Sequence, residues 1–332
     1  MLKIALISDD LTRDSLELED NVLVYNVTPL NYWYILKFFK PDFLFVESAW
    51  HGYRNSWKYK IASYPDVPKR NNNRLKKVVD FAKKLNIPTI FWNKEDGVHF
   101  ERFIESAVFF DYIFTVDTNV ISRYKELVSV PVNVLMFAIQ PKIHYFKGFH
   151  IPYKRANFVG SYSKHIHSKR REWQDMFFKT FCKNDFQVDV YNRNSDRNAK
   201  IYGYPQLSCL DEKHRISYDE TAQVYRDYMI SLNVNTITDS ETMFSRRLIE
   251  ILACGRVCIT NPSLSVYKLF EEYCYCVHNE DELNELLQKF QRDGIEKEKK
   301  KLESASKYIL KYHTWKRRLD EIQTILQLES NV

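Results

Sequence analysis

SLNVNTITDSETMFSRRLIEILACGRVCITN, residues Ser231–Asn261, reads as a strand, a polar loop, a helix, a tight turn and a second strand. Ile230–Val234 is a short strand with Ile, Leu and Val. Asn, Thr, Asp and Ser fill the loop, and a helix is predicted over Arg246–Ala253 with Gly255 just past its end. Val257–Thr260 is the returning strand. Two strands joined by a helical crossover lie parallel, so the helix starts at the sheet's carboxyl edge. There it offers unpaired amides and the positive end of its dipole to an anion such as a diphosphate.

The same alternation extends in both directions. Upstream, strands are predicted over Lys3–Ser8, Val22–Val27, Phe43–Glu47, Pro88–Trp92, Tyr112–Val116 and Val132–Leu135, with helices over Asn31–Phe39, Asn73–Leu85, Phe100–Ala107 and Asn119–Leu127. A polar, basic stretch, Gln140–Arg155, marks a boundary. Beyond it come strands over Ala156–Val159 and Phe186–Tyr191, helices over Ser168–Phe181 and Tyr218–Tyr228, and, after the quoted unit, helices near Val266–Glu272 and Asp281–Phe290. Apolar strands alternating with helices predict an α/β protein of two Rossmann-like, doubly wound parallel-sheet domains facing a cleft. We place the first domain at 1–150 and the second at 151–305. The basic tail, Ile295–Leu328, reads as helical, with 306–332 packing across the domains.

Composition narrows the function. A chain of 332 residues, 45% hydrophobic and 28% charged, suits two soluble domains and excludes disorder. No apolar run approaches the roughly 20 residues of a bilayer crossing. The start, MLKIALISDD, lacks the pattern of a secretion signal, so the chain reads as cytoplasmic. With only seven glycines there is neither a GxGxxG turn nor a phosphate loop, which argues against a nicotinamide dehydrogenase and a P-loop kinase. The charge of +6 is spread thinly and lacks an aromatic-laced basic stripe, so nucleic acid is not an expected partner, whereas anionic sugar nucleotides and peripheral contact with an anionic membrane suit it. Cys182, Cys209, Cys254, Cys258, Cys274 and Cys276 sit mostly in apolar segments and read as reduced, buried thiols.

Within Ser231–Asn261, Arg247, Glu250 and Ala253-Cys254-Gly255 resemble the donor-binding element of GT-B glycosyltransferases, most closely the CgeB-like group. A planar guanidinium at Arg247 suits bidentate contact with a diphosphate, and a carboxylate at Glu250 can accept both ribose hydroxyls. The alternative is an ion pair between them on an exposed helix face. Asn235, Ser245 and Arg246 complete the donor set around the loop. The glutamate pair of retaining enzymes, seven residues apart, is not met, because eight residues separate Glu241 and Glu250.

A second resemblance is NFVGSYSKHIHSKRREW, Asn157–Trp173. CgeB-like second domains open on such a strand, where Gly160 lets a ligand approach the backbone and Ser161, Tyr162, Arg170 and Arg171 follow. Tyr191 and Arg193, after the strand VDVY, resemble the group's nucleobase loop. KYHTWKRRLDEI, Lys311–Ile322, resembles its closing motif, with His313 and Arg318.

The first domain supplies two acid-bearing strand tips, Val46–Gly52 and Phe91–His99. Asp96, Glu95 and Glu47 are candidate bases for an inverting transfer, and Trp50, Trp92 and His99 are candidate acceptor contacts. Asp96 and Glu95 also suit a helix start. No DxD ends a strand, so no metal is expected. The resemblance therefore implies a metal-independent glycosyltransferase without cofactor, using a nucleoside-diphosphate sugar with UDP as the expected carrier, on a glycan or lipid-linked glycan in bacterial surface polysaccharide synthesis. Its rivals are a non-catalytic glycan-binding or scaffold protein and a nucleotide-sugar epimerase.

Overall fold

The computed structural model describes residues 1–197 and 199–328. Two compact units are present, Pro141–Thr314 and a discontinuous one made of Met1–Gln140 with the segment from Trp315 onward.

In the first unit, β1 (Leu2–Ile7), β2 (Val22–Asn26), β3 (Phe43–Glu47), β4 (Thr89–Asn93), β5 (Tyr112–Thr115) and β6 (Val132–Val134) form one parallel sheet in the order β2-β1-β3-β4-β5-β6. Every residue of β3 and β4 is buried, as expected for central strands covered on both faces. The order reverses between β1 and β3, so the carboxyl ends of these two strands flank the natural crevice of this sheet.

In the second unit, β7 (Tyr153–Gly160), β8 (Val188–Asn192), β9 (Leu210–Lys213), β10 (Tyr228–Asn233), β11 (Val257–Thr260) and β12 (Tyr275–Cys276) form a second parallel sheet in the order β12-β11-β10-β7-β8-β9. Here the reversal falls between β7 and β10. The helix Arg246–Ala253 and β11 have the ends expected from the sequence.

Three features differ from the sequence reading. The helix Asp10–Glu17 and strand β9 have no apolar period to reveal them, since β9 is a sheet edge whose Asp211 and Glu212 face solvent. The tail is two helices, Lys299–Tyr312 and Trp315–Leu326, broken at His313 (φ −126°, ψ 40°). The break lets each helix serve a different core. Ser306 Oγ donates to the Ala253 carbonyl at 2.7 Å in the second unit. Trp315 packs edge-on against Trp92 at 5.4 Å, and Arg318, 1% exposed, donates to the Met136 carbonyl at 2.9 Å in the first. Thirdly, Cys182 and Cys209 are joined in a disulfide rather than both reduced. The carboxyl end of the helix Ser168–Lys183 and the approach to β9 meet there, which a separation of 27 residues does not announce. No helix among the described residues is long and apolar enough to cross a membrane.

Candidate functional site

The reversal point of the second sheet is built from the ends of β7 and β10 and the start of the helix Arg246–Ala253. Asn235, 2% exposed, fixes the loop between strand and helix: its Oδ1 accepts from the Ser245 amide at 2.8 Å and its own amide donates to Asn261 Oδ1 at 2.7 Å. Ser245 is the N-cap but makes no side-chain cap bond, so the first turn is not closed by its own cap.

Arg247 leaves this turn and reaches across to β7. Its Nε donates to the Val159 carbonyl at 2.6 Å, and its guanidinium lies 4.5 Å above the Phe158 ring. Gly160 is required by this approach: a Cβ there would stand 2.8 Å from Arg247 Nη2 and 2.7 Å from the Phe158 ring. The Gly160 carbonyl in turn accepts from the Arg193 amide at 2.9 Å, which brings the end of β8 to the same place.

Arg246 takes the other direction. Its Nε bonds Glu250 Oε1 at 2.8 Å while its guanidinium lies 5.2 Å from the Tyr218 ring centroid. Glu250 is 4% exposed and also accepts from Tyr225 Oη at 3.3 Å, so the helix carries neither an Arg247–Glu250 pair nor an exposed one. Burial pushes the Glu250 carboxyl up, but Arg246 above all, with Arg247, brings it below its ordinary value. His144, fully buried behind it, is pushed down to about 4 by desolvation and stands neutral as a wedge, with Nε2 3.0 Å from Thr221 Oγ1.

Four arginines thus gather at this edge, with Glu250 paired to Arg246. Arg170 is lowered to about 10, first by burial and then by Arg247. Arg193 is itself exposed and is lowered beside the charges of Arg246 and Arg247. Such crowding is a concentrated positive field at a strand end, suited to a multiply charged anion. Arg170 belongs to this cluster through its charge and also braces the loop, donating to the Ser161 carbonyl at 2.9 Å.

Other residues singled out for donor lie elsewhere. Arg171 ties down the same loop through the Ser163 and Lys164 carbonyls (3.2 and 2.7 Å). Tyr162 is a correction: it is 4% exposed, packed on Tyr204 with its hydroxyl 2.7 Å from Asp175, so its ring belongs to the core. Tyr191 joins a different set, with its hydroxyl 3.1 Å from that of Tyr228, which bonds buried Asp189.

In the first unit, Glu47 ends β3 fully buried. Both its oxygens are engaged, by the Asp9 amide at 2.7 Å and Thr12 Oγ1 at 2.5 Å. Burial raises its carboxyl to about 7 against the pull of Lys94. Asp96 is 3% exposed, held by Asn93 Nδ2 at 2.6 Å and Tyr124 Oη at 2.9 Å, and burial raises it to about 8. Held by these two donors, Asp96 anchors the start of the helix Asp96–Ala107, the second of the two roles the sequence left open, which corrects its reading as a catalytic base. Glu95 is the half-buried acid, 3.1 Å from Lys94 Nζ.

Trp92 is also a correction: 2% exposed, it donates to the Leu135 carbonyl at 2.9 Å and is enclosed by Phe45, Phe137 and Trp315, so no sugar reaches its faces. Trp50 and His99 come together, with ring centroids 5.3 Å apart. Asp9, which the sequence reading passed over, organises this tip. Its carboxylate accepts the amides of Trp50, His51 and Gly52 at 2.9, 2.9 and 2.8 Å, and its place at the end of β1 was the available signal.

No curated protein sequence matches the chain. Solved structures share the fold at low identity. Sucrose-phosphate synthase from Thermosynechococcus elongatus superposes with a TM-score of 0.59 at 11% identity over 99% of both chains. Anabaena HepE in complex with UDP gives 0.59 at 10% identity over 98% of this chain and 100% of that one. An α-glucosyltransferase in complex with UDP and a 13-mer DNA gives 0.67 at 12% over 98% and 99%. The two six-stranded parallel sheets are therefore the two-domain GT-B architecture. A model of the glycosyl transferase-like family matches residues 156–324, which include the whole arginine cluster and more than half of the 332 residues. The chain belongs to the glycosyl transferase-like family.

Proposed function

We propose that this chain transfers a sugar from a nucleoside-diphosphate sugar to a glycan or lipid-linked glycan acceptor. The observation that carries the reading is the gathering of Arg170, Arg193 and Arg247 at the end of β7, where they bond the Ser161, Gly160 and Val159 carbonyls, beside Arg246 paired to the buried Glu250 at the carboxyl edge of the second sheet. Arg247 and the helix start meet the diphosphate, the Gly160 backbone allows it close, and Arg193 lies on the side of the base. Glu250 serves the ribose, exchanging part of its contact with Arg246 for hydroxyl donors. Arginines take the part a divalent ion plays elsewhere, so the transfer is metal-independent.

HepE, whose fold is shared, is known bound to UDP and to UDP-glucose, which supports uridine as the first base to test. On the acceptor side, Trp50 and His99 offer an aromatic pair and Glu95 an accessible acid for an inverting transfer. The motifs at Arg247, Glu250, Ala253-Cys254-Gly255 and His313–Arg318 support the CgeB-like branch, and with it a cytoplasmic role in bacterial surface polysaccharide synthesis.

Thermal unfolding with a panel of nucleoside diphosphates tests the donor site. One of them should stabilise the protein by about 2.7 kcal/mol at a hundredfold excess over Kd. If none moves the midpoint, the reading is lost. Nucleotide release from donor sugars, with and without a glycan acceptor, then separates transfer from a binding protein and from an epimerase. Gly160→Ala is expected to weaken the stabilising nucleotide by about 1–3 kcal/mol, since the new methyl displaces the Arg247 guanidinium or the Phe158 ring. Titration calorimetry on the variant reads this directly, and an unaltered Kd removes Gly160 from the site.

A further inference from the structure

The helical segment Tyr32–Phe39, between β2 and β3, buries Ile35 and Leu36 and turns its other side outward. That side holds Trp33 at 51% exposure and Phe38 at 58%, with Tyr34 between them and Leu30 at 85% just before the helix. The three rings touch one another at 5.2–6.5 Å between centroids, so they form one patch rather than scattered residues. Contiguous exposed apolar surface of this kind marks a contact site.

The charges beside it identify the partner. Tyr32 meets Phe81 of the helix Asn73–Lys84 edge-on at 5.6 Å. Arg74, Lys77 and Lys84 are exposed and spaced three and four residues from Phe81 and from one another, which puts them on the same face of that helix. Lys37 and Lys40 are exposed on the aromatic segment itself. None of these five cations has a carboxylate partner among the described residues, whereas Lys76 and Lys83, on the other flank, pair with Asp80 and Asp111 at 2.8 and 2.9 Å. A second copy docked by two-fold symmetry would set five cations against five. Trp, Tyr and Phe flanked by unpaired Lys and Arg are instead the composition of a surface that lies in the headgroup layer of an anionic bilayer.

We propose that this face seats the first unit on an anionic phospholipid membrane, with Trp33 and Phe38 entering the headgroup layer and Lys37, Lys40, Arg74, Lys77 and Lys84 at the level of the lipid phosphates. The inference uses none of the donor-site residues and stands apart from that reading.

Sedimentation of the full chain with phosphatidylcholine vesicles, with and without phosphatidylglycerol, tests it. The wild type should pellet only with the anionic vesicles and be released by high salt. Lys37→Glu with Lys40→Glu should lower the partition coefficient by about fivefold per cation or more. Trp33→Ser with Phe38→Ser should lower it by about tenfold or more, through lost apolar burial. All four sites are exposed, so unchanged melting curves are expected and confirm folded variants. Trp33→Phe should keep binding while removing the lipid-induced blue shift of tryptophan fluorescence. Equal pelleting with both vesicle types, or variants that bind like the wild type, overturns the proposal. So does a dimer in ultracentrifugation that Trp33→Ser with Phe38→Ser dissolves, which assigns the face to a second copy. Nucleotide binding is measured without lipid, so its success or failure is read separately.

Discussion

Arg247→Ala is expected to lower the affinity for the stabilising nucleoside diphosphate by about 10- to 150-fold, the equivalent of one charged hydrogen bond of roughly 1.5–3 kcal/mol. Arg247 is braced before any ligand arrives, by the Val159 carbonyl at 2.6 Å and the Phe158 ring, so little side-chain freedom is lost on binding. The fold should survive. The variant loses the Val159 contact, worth about 1 kcal/mol, but also relieves the repulsion that Arg247 exerts on Arg170 and Arg193. Arg247→Lys keeps the charge and loses the planar fork, and should recover only part of the affinity. Calorimetric titration with UDP at low and high salt checks both variants. Wild-type affinity in Arg247→Ala, with the same salt response, would falsify the placement of the diphosphate at this helix start.

The second large effect is on stability against pH. Glu47 and Asp96 are both raised by burial, to about 7 and about 8, above the ordinary values near 4 that they regain on unfolding. Between pH 4 and these values the unfolded chain has released a proton that the folded chain keeps. Stability therefore falls as pH rises through that window and levels off above about pH 8. Asp96 alone accounts for a loss on the order of several kcal/mol. Asp96→Asn keeps an oxygen that accepts from Asn93 and Tyr124, and removes the charge. It should be less stable than the wild type, or equal to it, at pH 5 and more stable at pH 8. Urea unfolding at the two pH values reads the crossing. Parallel pH profiles for the two proteins would show that Asp96 is not the group responsible.

Much of the architecture was legible because it is written in local spacing. Phe43–Glu47 and Val257–Thr260 are runs of apolar residues that can only be buried strands, and the helix Arg246–Ala253 declares both ends. Strand β9 was not legible: Leu-Asp-Glu-Lys carries no burial pattern, because a sheet edge needs none. The break at His313 was equally silent, since the residues on both sides favour helix and only two separate cores require the chain to turn there.

Side-chain roles divide in the same way. Trp50 and Trp92 look alike at two strand tips, but Trp315, more than two hundred residues later, closes over Trp92 and leaves Trp50 half-buried beside His99. Asp96 and Glu95 are neighbours, and Tyr124 from a distant helix decides which of them is sealed.

The sequence by itself determined two parallel sheets, the ends at which their loops gather, and the presence of Arg246, Arg247 and Gly160 at one such end. These follow from periodicity and turn chemistry within a few consecutive residues. Only the tertiary structure decided that Arg170 and Arg193 join them, that Glu250 is buried against Arg246, and that Tyr162, Trp92 and Asp96 are taken up by the core. Charge crowding and burial depend on strand order, which brings residues far apart in the chain to within a few ångströms of each other.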